Sequence, residues 1–359
     1  MNVLFIALGV YDIEGGVERF NRRLIRALAE LTQDSVVNHV SIVSLWDTSA
    51  AHRDDARISY WGGRRSKVGT LIKFLIEVRK RPSVIIIGHF LLLPLAVVAR
   101  MLAPRTKISL ILHGVEVWGY QSRTRRWMAR RFIDRFLAVS AYTANRAGRR
   151  LRLPSAYFDY LPNAVDVLPT QSKATRSEDN PALLSVSRLG LADTYKNIGL
   201  VIEALPEVKN ELGRVTYNIV GDGALLATLR NRVGALGLAD SVRFHGQVSE
   251  STKASLYRDA DLFILPSMRE GFGIVFLEAW NHGVPLIASS FGGVTELINH
   301  GDDGFLVDPD PPAIAGAICR LIVDPQLRGS LARRGRQRVI DEFSHDAFTR
   351  RVSSILGSL

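Results

Sequence analysis

A single cysteine, Cys319, stands in 359 residues. It can form neither an internal disulfide nor a cysteine-based metal site, so the chain suits a reducing compartment. Long uncharged apolar runs are missing too. The best candidate, Val84 to Ala103, is interrupted by His89, Pro94 and Arg100 and divides into a strand, Val84 to Ile87, and a buried helix from near Leu92. No spanning helix is expected. The N-terminus enters an apolar pattern at Asn2 without a basic leader or a small-residue cleavage site, so no secretory signal is expected. No carboxylate cluster of the kind that holds a divalent cation is evident, and no aromatic-basic RNA motif or basic zipper argues for nucleic acid. Acidic charge is scarce in only one half. Residues 1–166 hold 26 Lys and Arg against 13 Asp and Glu, a net +13, while the remainder holds 20 against 22, a net −2. The positive field belongs to the first half.

What is present is ordinary globular material. Hydrophobic residues make up 47% and charged ones 23%, and the length fits two domains, each able to bury its own core. The chain opens as strand (Asn2 to Leu8), glycine turn (Gly15-Gly16) and helix (Val17 to Leu31, with Phe20, Leu24, Leu28 and Leu31 on one face). Such a unit begins a doubly wound sheet. Strands then read at Val40 to Leu45, Val84 to Ile87, Ile108 to Leu112 and Phe136 to Val139, with helical segments between them, which predicts a parallel sheet buried on both faces. His113 ends one of these strands, where ligands of open α/β sheets bind; His89 ends another and reads as structural. Residues 167–180, rich in Ser, Thr, Asp and Pro, read as a linker. A second set of strands and helices starts at Ala182, with Arg188 closing its first strand and Lys196 opening a helix over Asn197 to Leu205. A lysine at a helix start opposes the dipole unless an anion lies between them. Turns follow at Gly221-Asp222-Gly223 and at His245-Gly246, each after a strand.

The stretch from Leu265 to Ile298, LPSMREGFGIVFLEAWNHGVPLIASSFGGVTELI, holds the most chemistry. The strand Leu262 to Leu265 ends at Pro266-Ser267, and Glu270 sits in the loop. Gly271 and Gly273 let backbone approach a ligand around Phe272, and a helix from Ile274 carries Glu278 about one turn in. A second strand, Leu286 to Ala288, leads through Gly292-Gly293 into another helix. Helix starts at strand ends offer unpaired N–H groups and partial positive charge to phosphate, and two carboxylates accept from vicinal hydroxyls. A ligand with both features is a nucleotide sugar.

This string resembles the signature of the retaining glycosyltransferases of family 4, a Glu-x7-Glu motif within an EGFG…EA…G.P frame. The resemblance implies the GT-B fold: two Rossmann-like parallel-sheet domains facing across a cleft, an acceptor-binding domain over 1–166 and a nucleotide-sugar domain over 167–342. A last helix, within 343–359, crosses back onto the first. It implies that Glu270 contacts the transferred sugar and Glu278 the ribose, that His113 lies near that sugar, and that Arg188 and Lys196 clamp the diphosphate. Gly15 and Gly16 would face the diphosphate and acceptor, and backbone near Gly221 and Gly246 would hold the base. Gly271, Phe272, Gly273 and Ile274 complete the expected donor contacts. Pro162-Asn163-Ala164-Val165-Asp166 matches the family's PNGVD turn with alanine in place of glycine. The expected activity is transfer of a hexose from a UDP- or GDP-sugar to a glycan or lipid-linked acceptor, with retention, without cofactor or metal, in polysaccharide or glycolipid biosynthesis. A glycan phosphorylase and a noncatalytic anion-binding protein are the competing classes.

Two segments hold much of the excess charge, Gly63 to Arg81 and Gln121 to Phe136; both interleave arginines and lysines with apolar residues. Each reads either as a solvated face over a core stripe or as a surface for anionic lipid or an anionic acceptor. The expected location is cytoplasmic, with peripheral attachment to the inner face of the cell membrane as the sharper form.

Overall fold

The computed structural model describes residues 1–48, 57–169 and 180–359. It divides into two compact units, Met1–Ala164 together with Phe343–Leu359, and Val165–Glu342. Most of the expected linker, 170–179, lies outside the described residues. Its leading end belongs to the second unit: the Asn281 amide donates to the Asp166 carbonyl at 2.7 Å, and Arg336 donates to that of Leu168 at 2.6 Å. Ala164, where the family turn has glycine, is buried and keeps a negative φ, so the alanine fits the turn without strain.

In the first unit the chain runs β1 (Asn2–Ala7), α1 (Gly16–Gln33), β2 (His39–Ser44), β3 (Ile58–Gly62), α2 (Lys67–Arg79), β4 (Val84–Ile87), α3 (Pro94–Leu102), β5 (Lys107–Leu112), α4 (Val115–Trp118), α5 (Arg123–Phe132), β6 (Arg135–Ala138), α6 (Ala141–Leu151) and β7 (Phe158–Tyr160). The strands form a parallel sheet in the order β3-β2-β1-β4-β5-β6-β7. Central strands such as Val84-Ile85-Ile86-Ile87 are buried throughout, as a sheet covered on both faces requires. The order reverses between β1 and β4, which makes the ends of those strands the natural crevice of the unit. The edge strands β3 and β7, which the sequence pattern does not predict, are short and only half-buried, so they carry little of the apolar signal.

The second unit repeats the plan: β8 (Ala182–Val186), α7 (Ile198–Leu212), β9 (Thr216–Val220), α8 (Leu226–Ala235), β10 (Val242–Gly246), α9 (Glu250–Asp259), β11 (Leu262–Leu265), α10 (Ile274–Asn281), β12 (Leu286–Ser289), α11 (Val294–Leu297), β13 (Gly304–Val307), α12 (Pro311–Val323) and α13 (Pro325–Glu342). Its parallel sheet has the order β10-β9-β8-β11-β12-β13, with the reversal between β8 and β11. The helix expected to span Asn197 to Leu205 starts one residue later and continues through Pro206 to Leu212. A proline there removes one hydrogen bond, but Val201, Ile202, Leu205 and Val208 stay buried on the face that α12 covers and hold the helix together. The last helix, α14 (His345–Ser358), returns to the first unit and lies on α1. No described helix is long and apolar enough to cross a membrane.

Candidate active site

At the reversal point of the second sheet, the loops after β8 and β11 meet. The loop after β8 carries Arg188, then a 3-10 turn over Leu191–Lys196, and Asn197 in the left-handed region at φ 59°. Lys196 therefore closes that turn and precedes α7 by two residues, which corrects its expected place at the helix start. The left-handed step is held by the Asn197 amide donating to the Pro266 carbonyl at 2.8 Å, and the Met268 N–H donates to the Tyr195 carbonyl at 2.9 Å. These bonds fasten the two loops together. Lys196 Nζ thereby comes to 2.5 Å from Glu270 Oε2, with both side chains 14% exposed. Arg188 lies closer to solvent and pairs with the buried Asp193 at 3.1 Å; the Tyr195 hydroxyl donates to the same oxygen at 3.2 Å.

Glu270 is also fixed from the other side. The Gly293 N–H donates to the Glu270 carbonyl at 2.8 Å, and a Cβ on Gly293 would stand 2.5 Å from the Gly271 carbonyl oxygen. Glycine at 293 is thus needed for the loops after β11 and β12 to pack backbone to backbone. Gly273 has φ +85°, and a Cβ there would fall 2.4 Å from the Phe276 ring. It starts α10 without a side-chain cap, as Gly15 starts α1; α2, α5, α6, α9 and α14 each have a serine cap. The first turns of α1 and α10 therefore offer backbone N–H groups at the ends of strands. Gly221, at φ +137°, passes so close to Ser187 that a Cβ would overlap its carbonyl oxygen, and its N–H donates to the Gly246 carbonyl at 2.9 Å. Gly246 itself has φ +65°. Phe272 is buried and Ile274 is the first residue of α10.

Glu278 faces α9. The Tyr257 hydroxyl donates to its Oε2 at 3.0 Å, and Lys253 Nζ, largely buried and also paired with Glu250, lies 3.5 Å from Oε1. Tyr257 stacks on His282 at 5.1 Å between ring centroids, and His282 is hydrogen-bonded to the Glu278 carbonyl at 2.8 Å. Sequence reading missed Lys253 and Tyr257 as partners of this carboxylate, because they lie 25 and 21 positions away on a different helix.

In the first unit, His113 follows β5 and bonds through Nε2 to the Gly88 carbonyl at 2.9 Å. A carbonyl only accepts, so that nitrogen carries the proton and Nδ1 is the acceptor of the neutral ring. Burial holds its pKa below the usual histidine range, more strongly than Glu116 raises it. Phe20 meets the ring edge-on at 5.2 Å and His89 stacks on it at 6.0 Å. His89 has a local task as well, since its Nδ1 accepts from the Leu91 N–H at 3.1 Å. The turn before Gly15-Gly16 depends on a residue the sequence did not signal, Asp47. Its carboxylate is fully buried and accepts from the N–H groups of Val10, Tyr11 and Asp12 and from the hydroxyls of Ser44 and Tyr60, at 2.5 to 3.2 Å. An aspartate just past a strand reads as an ordinary turn residue, and only tertiary contacts reveal the clamp.

Two family descriptions match the chain in succession: Glycosyltransferase Family 4 over residues 14–167 and Glycosyl transferases group 1 over residues 169–338. A GDP-mannose-dependent alpha-(1-6)-phosphatidylinositol monomannoside mannosyltransferase of Mycobacterium tuberculosis is 30% identical over 285 residues, covering 73% of each chain. The chain belongs to glycosyltransferase family 4. An N-acetyl-alpha-D-glucosaminyl L-malate synthase of Bacillus anthracis is similar to this glycosyltransferase at 27% identity, over 78% of this chain and 76% of that one. Among solved structures, HepE of Anabaena in complex with UDP and glucose superposes over 100% of both chains with a TM-score of 0.78 at 21% identity. Sucrose-phosphate synthase from Thermosynechococcus elongatus superposes over 99% of this glycosyltransferase and 98% of its own chain, with a TM-score of 0.75 at 22% identity. The fold, two Rossmann-like parallel-sheet units, is that of the GT-B glycosyltransferases.

Proposed function

We propose that this glycosyltransferase moves a hexose from a UDP- or GDP-sugar to a glycan or lipid-linked acceptor, with retention at the anomeric carbon and without a metal ion. The observation that carries the reading is the meeting of Lys196 and Glu270 at the reversal point of the second sheet, beside the uncapped start of α10. A departing nucleoside diphosphate develops negative charge, and Lys196, Arg188 and backbone N–H groups can stabilise it without a divalent ion. Glu270 then lies next to the phosphate site, where it can accept from the sugar hydroxyls and face a positively charged anomeric centre. Glu278, oriented by Tyr257 and Lys253, accepts from the ribose hydroxyls. The turns at Gly221 and Gly246 present backbone to the base. Gly15, Gly16 and the acceptor Nδ1 of His113 serve the sugar and acceptor side. The leaving phosphate takes the acceptor's proton, so no separate base is required. The mannosyltransferase above is described as acting on a phosphatidylinositol monomannoside, which supports a lipid-linked acceptor, and the +13 first half favours an anionic, membrane-held one for this chain.

A thermal-shift screen of nucleoside diphosphates and their sugars tests the donor assignment. At about a hundredfold over its Kd the correct diphosphate stabilises the protein by ~2.7 kcal/mol. Product analysis by NMR should then find the anomeric configuration of the donor, with turnover intact in a strong chelator. Inversion, or loss of turnover restored by magnesium or manganese, would refute the mechanism.

A further inference from the structure

The outer side of one helix layer in the first unit carries residues that neither the core nor the donor site explains. Helices α2, α3, α5 and α6 pack in sequence along one face of the sheet. On α2, Thr70, Phe74, Glu77 and Val78 point inward, and the inward carboxylate of Glu77 is held by Lys73 and Lys80 at 2.8 Å each. Val68, Ile72 and Ile76, one turn apart, are instead 69%, 53% and 47% exposed. This helix offers an apolar stripe to the outside. Its neighbours add Met101 of α3 and Trp127 of α5, 76% and 56% exposed.

Beside Trp127 lies an open groove of about 610 Å³, lined by Arg123, Arg126, Arg130 and Arg131 of α5 and by Arg152, which ends α6 at φ +58°. Among the described residues none of these five guanidinium groups has a carboxylate within ion-pair distance. Two arginines on neighbouring elements are matched by contrast, Arg100 with Asp134 and Arg135 with Asp159, both at 2.6 Å. Five like charges gathered without a counter-charge repel one another unless an anion joins them, and the planar guanidinium fork fits phosphate oxygens. A soluble phosphate would satisfy the groove and leave the stripe in water; an apolar partner would do the reverse. A bilayer of acidic phospholipid satisfies both.

We propose that this face docks on an anionic phospholipid bilayer, with lipid phosphate in the α5–α6 arginine groove and the α2 stripe entering the headgroup layer. The inference rests on the reading of a membrane-held acceptor and gives it a surface. It is tested with the full chain by sedimentation with vesicles of phosphatidylcholine alone or mixed with phosphatidylglycerol, at rising salt. Binding is expected only with phosphatidylglycerol, weakening steeply with salt. R126Q/R130Q should weaken it about thirtyfold, from two lost charges near the surface. I72Q/I76Q should weaken it at least tenfold, with melting temperatures of both variants near that of the parent. Equal binding to both vesicle types, or none to either, overturns the proposal. So does tight binding of inorganic pyrophosphate that depends on Arg126 and Arg130 while vesicles do not bind, or a dimer that I72Q/I76Q dissolves. Nucleoside diphosphate binding and sugar transfer to a detergent-dispersed acceptor, measured in parallel, report on the enzyme reading separately.

Discussion

Lys196 and Glu270 stand 74 positions apart in the chain and 2.5 Å apart in space. Burial is the largest influence on Lys196 and works against its charge, yet the adjoining carboxylate outweighs it and holds the ammonium above the usual lysine range. Glu270→Gln should therefore keep nucleoside diphosphate affinity while turnover falls on the order of a hundredfold, since a sugar contact is lost and the phosphate contacts remain. Glu278→Gln should do the opposite, weakening nucleotide affinity with less effect on turnover. Calorimetry and kcat on the same preparations separate the two, and full activity of Glu270→Gln would sink the assignment. Asp47 gives a prediction about stability. Burial disfavours its charge, but hydrogen bonds from Tyr60, Ser44 and the Asp12 and Tyr11 N–H groups outweigh it and place its pKa below the usual carboxylate range. A depressed carboxylate contributes stability that is present above the unfolded pKa, about 3.9, and is lost as pH falls through the folded value. Asp47→Ala should cost roughly 2–4 kcal/mol at pH 7, chiefly by leaving buried N–H groups unpaired. The gap from the parent in urea melts should narrow at acid pH, and a constant gap would show that the charge is irrelevant.

The active loops are positioned by contacts between elements as much as by any side chain. The loops after β11 and β12 touch through Gly271, Glu270 and Gly293, with no room for a Cβ at 293. Gly293→Ala should push the Glu270 backbone outward and lower kcat at least tenfold, with a modest loss of stability, about 1–3 kcal/mol. An unchanged kcat would mean that the loop after β12 does not position Glu270. Legibility also varied by element. Apolar strands such as β4 and β11 announce themselves through unbroken runs, and α10 through its flanking glycines. The edge strand β3 does not, since its Ile58–Gly62 segment is half in water and alternates weakly. Nor does the end of α7, where the proline rule is overridden by packing against α12.

Across the whole molecule, the chain leaves the first unit, builds the second, and returns with α14. Phe348 of α14 meets Phe20 of α1 edge-on at 5.5 Å, and His345 Nε2 and the Thr349 hydroxyl both reach the Glu30 carboxylate, at 2.8 and 3.0 Å. Removing residues 343–359 should uncover the apolar face of α1 and lower the melting of the first unit, while the second unit keeps its transition and its nucleoside diphosphate affinity. Calorimetry with limited proteolysis reads the two units apart. A truncated chain that melts as the parent does would show that α14 contributes nothing to the first unit.

The sequence by itself determined the two parallel-sheet units, because runs of buried β-branched residues, glycine turns and amphipathic helices repeat along the chain and each is a local signal. The Glu270 loop and its flanking helices were legible for the same reason: strand, turn and helix follow one another within a few residues. Only the tertiary structure decided that Lys196 lies against Glu270, that Tyr257 and Lys253 hold Glu278, and that Asp47 gathers the turn before Gly15. Each of these joins residues on separate loops or elements. Strand order brings them together, and strand order is fixed by which faces must be buried across the whole sheet rather than by any neighbouring residue. The outward face of α2 belongs with them, since periodicity reveals that a helix has an apolar stripe but not which side of it the core will take.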